Sequence, residues 1–105
     1  MASAFDNAVT VLSSNSANIY AGPTSASTDR AIIIGLLVTN THASDDATVT
    51  VYKDTHELFN AIKIPANTSL EVCRGNKFVL KQNENLKAKV TAGSAKTMVS
   101  ALVIT

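Results

Sequence analysis

The run Ala31-Ile-Ile-Ile-Gly-Leu-Leu-Val38 carries no charged and no polar side chain, and it sits between Asp29-Arg30 and Thr39-Asn40-Thr41. It is far too short to cross a membrane. Three consecutive isoleucines and a closing valine favour a strand, because β-branched side chains are stiff at χ1 and pack well on a pleated surface. In a regular strand Ile32, Ile34, Leu36 and Val38 point one way, and Ala31, Ile33, Gly35 and Leu37 the other. A strand with one face in water would alternate apolar with polar residues. This one is apolar front and back, so both faces are expected to be covered. In a chain of 105 residues, another copy of the protein is a candidate for the second cover.

The end of the chain repeats the pattern. Met98, Leu102 and Ile104 fall on one face of a strand, and Val99, Ala101 and Val103 on the other. The two runs, 31–38 and 98–104, are expected to pair centrally, which would make C-terminal truncation damaging.

Around them the chain reads as short strands at roughly ten-residue spacing, with no helix and no repeat. Residues 8–12 form a first strand and 18–21 a second, stopped by Gly22-Pro23. Residues 47–52 alternate, with Val49 and Val51 opposed to Thr48, Thr50 and Tyr52. Asp54-Thr-His-Glu57 has the spacing of a helix capping box. A hairpin turn into a strand over 57–64 is preferred, because Ala61-Ile-Lys-Ile64 resumes alternation and Pro65 ends it. Residues 68–73 and 77–81 are read as a hairpin about Arg74-Gly75-Asn76, with Leu70 and Val72 inward and Cys73 on the opposite, partly exposed face. Leu86, Ala88 and Val90 alternate with Lys87 and Lys89, which face solvent. The pattern predicts an all-β fold: one antiparallel β-sandwich domain over residues 1–105, jelly-roll or Ig-like, of about eight or nine strands. Residues 1–30 are light in large apolar side chains and read either as an extended N-terminal arm or as edge strands.

Ser, Thr and Asn make up 31 of the 105 residues, which favours turns and strands over helices. Charge is uneven. Residues 1–60 hold two basic and six acidic side chains, a net −4; residues 61–105 hold seven and two, a net +5. Either a sandwich interleaves the halves and the asymmetry dissolves, or an acidic edge meets a neighbour's basic edge. Nucleic-acid binding would need basic and aromatic residues together, and only Phe78 lies among the later lysines. No nucleic-acid and no membrane partner is expected, and neither a signal peptide nor a membrane span is read. Asn67-Thr68-Ser69 matches a glycosylation sequon but is read as a turn.

No chemistry is written in the chain. Cys73 is the single cysteine, so an internal disulfide and a Cys-based zinc site are excluded, and a reducing compartment fits. His42 and His56 lie in predicted loops near Asp45, Asp54 and Glu57 at no recognised ligand spacing. Four glycines form no phosphate-binding loop, and no Gly-x-Ser-x-Gly elbow occurs. The expected inventory is no catalytic residue, no metal ligand and no cofactor, and no enzyme.

Across residues 18–105 a sequence of features stands in order. Ile19-Tyr20 is followed by Pro23, then by the Ile/Leu/Val strand running into Thr39-Asn40. Next come the Val-Thr-Val strand, Ile64-Pro-Ala-Asn-Thr-Ser-Leu70, a short Gly-turn hairpin, and a lysine-alternating strand with a hydrophobic finish. In this order the chain resembles small virion structural proteins of tailed bacteriophages. It departs from their pattern at Asn83-Glu84-Asn85, where a Gly-Asp often stands before the penultimate strand. The resemblance implies a β-sandwich packed in symmetric copies on a phage particle, in the virion and assembled in the host cytoplasm, without catalysis. A capsid decoration (cement) protein is the leading expectation, and a head–tail, neck or tail component the alternative. Its partners would be further copies of itself and other virion proteins of the capsid or neck, with residues 1–30, 41–46 and 53–56 as candidate contacts. A carbohydrate-binding or fibre-type module is the reading from another class; it would have to use Tyr20, Tyr52 and Phe59 as its aromatic platform.

Overall fold

The computed structural model describes residues 3–72 and 77–105, which form nine strands and no helix. The strands are β1 (Ser3–Val11), β2 (Ala17–Ala21), β3 (Arg30–Asn40), β4 (Ala47–Lys53), β5 (His56–Ile64), β6 (Ser69–Glu71), β7 (Phe78–Leu80), β8 (Asn85–Ala92) and β9 (Ala95–Ile104). They make two antiparallel sheets. Sheet A runs β1-β9-β3-β6, with β7 also on β3, and sheet B runs β2-β8-β4-β5.

The pairing has a simple logic. β1 pairs with β9, β2 with β8, β3 with β6 and β7, and β4 with β5. That is a single long antiparallel ribbon folded at the β4–β5 turn. Rolling it brings β9 against β3 and β8 against β4. The result is a jelly-roll sandwich, which settles the choice between the two expected topologies.

The two apolar runs do pair at the centre of sheet A, along ten residue pairs from Arg30↔Ile104 to Asn40↔Ala95. The core lies between the sheets. Ile33, Leu36, Val38, Val99 and Ala101 from sheet A meet Val49, Val51, Ile64, Leu86 and Ala88 from sheet B, all fully buried. At one end Asn40 is also buried. Its amide donates to the carbonyls of Asp45 (2.8 Å) and Ile64 (2.9 Å), and its oxygen accepts from the His42 N–H (2.9 Å). Both ends of the Asn40 amide are thus paired, as burial requires.

Three expectations are corrected. First, the faces of the organising strand are not those of a regular strand. Register shifts between Ile33↔Ala101 and Gly35↔Ser100, leaving Ile34 as an extra residue in a β-bulge. Ala31 and Ile33 therefore share the inner face with Leu36 and Val38, while Ile32, Gly35 and Leu37 share the outer one. Second, β6 and β7 do not pair with each other. Both run antiparallel to β3 on the same edge, β6 against 37–39 and β7 against 31–33, as one interrupted strand. Each short run gains more from lying on eleven residues of β3, which seats Leu70 and Leu80 inward, than from a hairpin with no sheet beneath it. The turn expected at Arg74-Gly75-Asn76 and the exposure expected for Cys73 lie outside the described residues. Third, the first strand begins at Ser3 rather than at residue 8. It pairs with β9 over its whole length, so β1 is an edge strand of sheet A and β2 an edge strand of sheet B.

Candidate assembly surface

Residues opposite one another in an antiparallel ladder point to the same side, so the register assigns the outer face of sheet A row by row. One row is Phe5–Leu102–Ile32–Val79. The next is Asn7–Ser100–Gly35, and the one after it Val9–Met98–Leu37. Two apolar ridges thus flank a trough of small and polar residues. Beyond the second ridge Val11 stands beside Lys96.

The apolar side chains of this face are not covered by their own chain. Phe5 is 80% exposed, Val9 67%, Val11 68%, Met98 39% and Val79 38%. Leu37, Leu102, Ile32 and Ile104 are half-buried by their neighbours within the sheet. The five most exposed residues present roughly 500 Å² of contiguous apolar surface, near the upper end for the largest patch of a soluble monomer.

Charge is nearly absent from the face. Among its described strand residues, only Arg30, Lys96 and Glu71 are charged. The Arg30 guanidinium donates to the carbonyls of Ser27 and Asp29, each at 2.8 Å. The Glu71 carboxylate accepts the Leu36 N–H at 3.0 Å, across the bulge.

β1 supplies the most exposed part of this face and is loosely held on its other side. Its inward residues are Ala4, Asp6, Ala8 and Thr10, too small or too polar to fill space between sheets. One side-chain hydrogen bond ties it to sheet B among the described residues: the Tyr20 hydroxyl donates to Asp6 Oδ2 at 3.0 Å. The Tyr20 pKa is pushed up to about 12 by burial, by that bond and by the Asp6 charge. Along its outer edge β1 pairs with no strand among the described residues. It also lacks the lysines and prolines that usually blunt an open edge.

Sheet B has the opposite character. Its outer face carries Lys63, Lys87 and Lys89 with Thr48 and Tyr52, and Lys89 Nζ lies 5.9 Å from the Tyr52 ring centroid. Nearby, Lys53 pairs with Glu84 at 3.2 Å. Glu84 is held below the usual carboxylate range chiefly by the Lys81 N–H, with Lys53 adding to it. Lys53 and Glu84 each run against the sign of their own half of the sequence; the halves interleave at Tyr52, whose ladder partners are Glu57 on one side and Lys87 on the other.

Of the residues weighed for chemistry, His42 and Asp45 come together, Nε2 to Oδ2 at 3.6 Å, on an exposed loop, and no third metal-ligating side chain joins them among the described residues. His42 caps its own loop: Nδ1 accepts the N–H groups of Ser44 (3.1 Å) and Asp45 (3.0 Å). His56 is exposed in the β4–β5 hairpin. No pocket and no group of three or more metal-ligating side chains occurs among the described residues. Tyr20 is buried, Phe59 packs on the core, and Tyr52 stands on the outer face of sheet B, so the three form no platform. Loops 41–46 and 53–56 lie at opposite ends of β4. Sequence reasoning placed Phe5, Val9 and Val11 inside the candidate contact segment 1–30 but did not single them out. Their i, i+2 spacing was a strand signal, but with Asn7 between them and alanines opposite it has the polarity of a face turned outward.

The architecture defines a jelly-roll β-sandwich with one apolar and one polar outer face. Solved structures share the fold, whatever the polarity of their faces. A chain from the acid-stable capsid of Helicobacter pylori bacteriophage KHP30 superposes with a TM-score of 0.62 at 13% identity, over 98% of this chain and 87% of that one. A chain from Bacillus endospore appendages, a family of disulfide-linked pili, superposes with a TM-score of 0.53 at 15% identity, over 97% of this chain and 84% of that one. At such identities the likeness is one of fold. No family model matches the sequence, and no curated protein matches it.

Proposed function

We propose that this chain is a non-enzymatic structural subunit of a tailed-phage particle, a capsid decoration (cement) protein that stabilises an assembly by burying surface between subunits. The observation that carries the reading is the uncovered apolar face of sheet A, rimmed rather than crossed by charge. Burial of that face against neighbours favours the assembled state by mass action. Support comes from the two solved neighbours, one a phage capsid and the other a pilus-like appendage, both built by repeated contacts between chains. On this reading the protein acts in the virion, after assembly in the host cytoplasm, with its own copies and other virion proteins as partners and without a cofactor.

Quantitative mass spectrometry of density-banded particles tests it. The chain is expected at a copy number comparable with the shell protein. A few copies per particle would move it to the head–tail, neck or tail alternative, and its absence from particles would overturn the reading.

A further inference from the structure

The occupant of the apolar face can be named. Resting on the reading of the chain as an assembly subunit, we infer that a second copy of this chain packs face to face on the outer side of sheet A. The Phe5–Leu102–Ile32 ridge of each protomer then lies in the Asn7–Ser100–Gly35 trough of the other.

Three observations select this occupant. The first is area. Adding the half-buried apolar side chains and the trough to the five most exposed residues gives roughly 800 Å², the share that each partner contributes to a standard-size interface of about 1,600 Å². The second is shape. Ridge and trough are adjacent rows on one sheet, one strand period apart. A twofold axis lying across the strands between them seats each ridge in the other copy's trough, so the face is complementary to itself. Gly35 deepens the trough; a Cβ there would stand 3.7 Å from Glu71 Oε2 and 3.9 Å from Ser100 Cβ, open enough that its lack is not forced by crowding. The third is charge. Arg30, Lys96 and Glu71 are the charged residues among the described strand positions of the face, and they stand at its margins, Glu71 closing the trough beside Gly35, so the ridges themselves offer no run of one sign to a partner of the other.

Edge-to-edge pairing of β1 with the β1 of another copy is the rival geometry. It would satisfy backbone groups, yet Phe5 would keep the 80% exposure it has now, because its side chain points off the sheet rather than along it. Face packing alone takes it from water.

Sedimentation velocity of the full chain at micromolar concentration is expected to show a dimer. Met98→Glu, in the middle of sheet A and away from the β1 edge, is expected to raise its dissociation constant by at least about tenfold. In a mixture of isotope-labelled and unlabelled wild-type chains, intermolecular NOEs are expected between the Phe5 ring and the Asn7 and Ser100 protons, a measurement that needs no variant to fold. A dimer untouched by Met98→Glu and without these NOEs would overturn the proposal in favour of edge pairing. A chain that stays monomeric at high concentration yet is present in particles would overturn it in favour of a different virion protein on this face, while leaving the particle role standing. Absence from particles with a dimer in solution would do the reverse.

Discussion

Tyr20 is buried with its hydroxyl on Asp6, and this pair links the exposed strand β1 to the opposite sheet. Its pKa rises to about 12 from an ordinary 10.0. A tyrosine in the unfolded chain ionises near its ordinary value, while Tyr20 in the fold resists until the higher one. The stability this contributes is therefore complete below about pH 10 and lost as pH climbs toward about 12. Chemical denaturation between pH 9 and 12 is expected to show a steep alkaline decline that Tyr20→Phe flattens. Asp6→Asn removes both the bonded carboxylate and its charge, so ultraviolet titration should find Tyr20 ionising at lower pH. Thr97 presents the opposite case. It is 1% exposed on the inner face of β9, and its Oγ1 has no hydrogen-bond partner among the described residues. Thr97→Val keeps the shape and removes the unpaired hydroxyl, so denaturant unfolding should show a gain of about 1 kcal/mol. An unchanged or lower midpoint would mean that the hydroxyl is satisfied.

β9 and β1 lie side by side and differ in what their loss should do. β9 pairs with both β1 and β3 and buries Val99 and Ala101 completely. Removing residues 100–105 takes out the ladder holding the start of β3, and circular dichroism is expected to show a chain without cooperative unfolding. Removing residues 1–11 leaves Leu12 in the core and takes away mostly exposed side chains. That variant should still melt cooperatively, at a lower temperature, and should no longer dimerise. The pairing of the two runs at the centre of sheet A could be read from the chain alone, because both are apolar on both faces; the cover expected over the outer face is not supplied by the chain itself. The bulge at Ile34 could not be so read. In an unbroken apolar run no polar residue marks the shift of register, and only β9 opposite reveals it. The split strand β6–β7 was hidden for another reason. Arg74-Gly75-Asn76 is a local turn signal, whereas the partner that claims both runs is β3, some thirty to fifty residues away. β1 was half seen, since its outward apolar residues make sense only if something else lies against them. No residue pattern pointed to chemistry, and the surface that stands out in its place is spread over four strands distant in sequence.

The molecule measures 47 × 22 × 19 Å along its principal axes and has two unlike broad sides. One is apolar and nearly uncharged, the other bears lysines over a polar sheet. Association through the first should depend on water rather than on ions. Sedimentation equilibrium is expected to give nearly the same dissociation constant in 50 mM and 1 M sodium chloride, and a tighter one in ammonium sulfate. A pronounced weakening by sodium chloride would point instead to the lysine side. The placement of those lysines has a further consequence. Two molecules joined back to back would turn the same amine-bearing surface outward above and below, in a slab four sheets deep and about 30 Å between its outermost backbones. Such an object has no top or bottom. It can span two like surfaces, but it carries no means of telling the inside of a shell from the outside, so that any such polarity must come from whatever it binds.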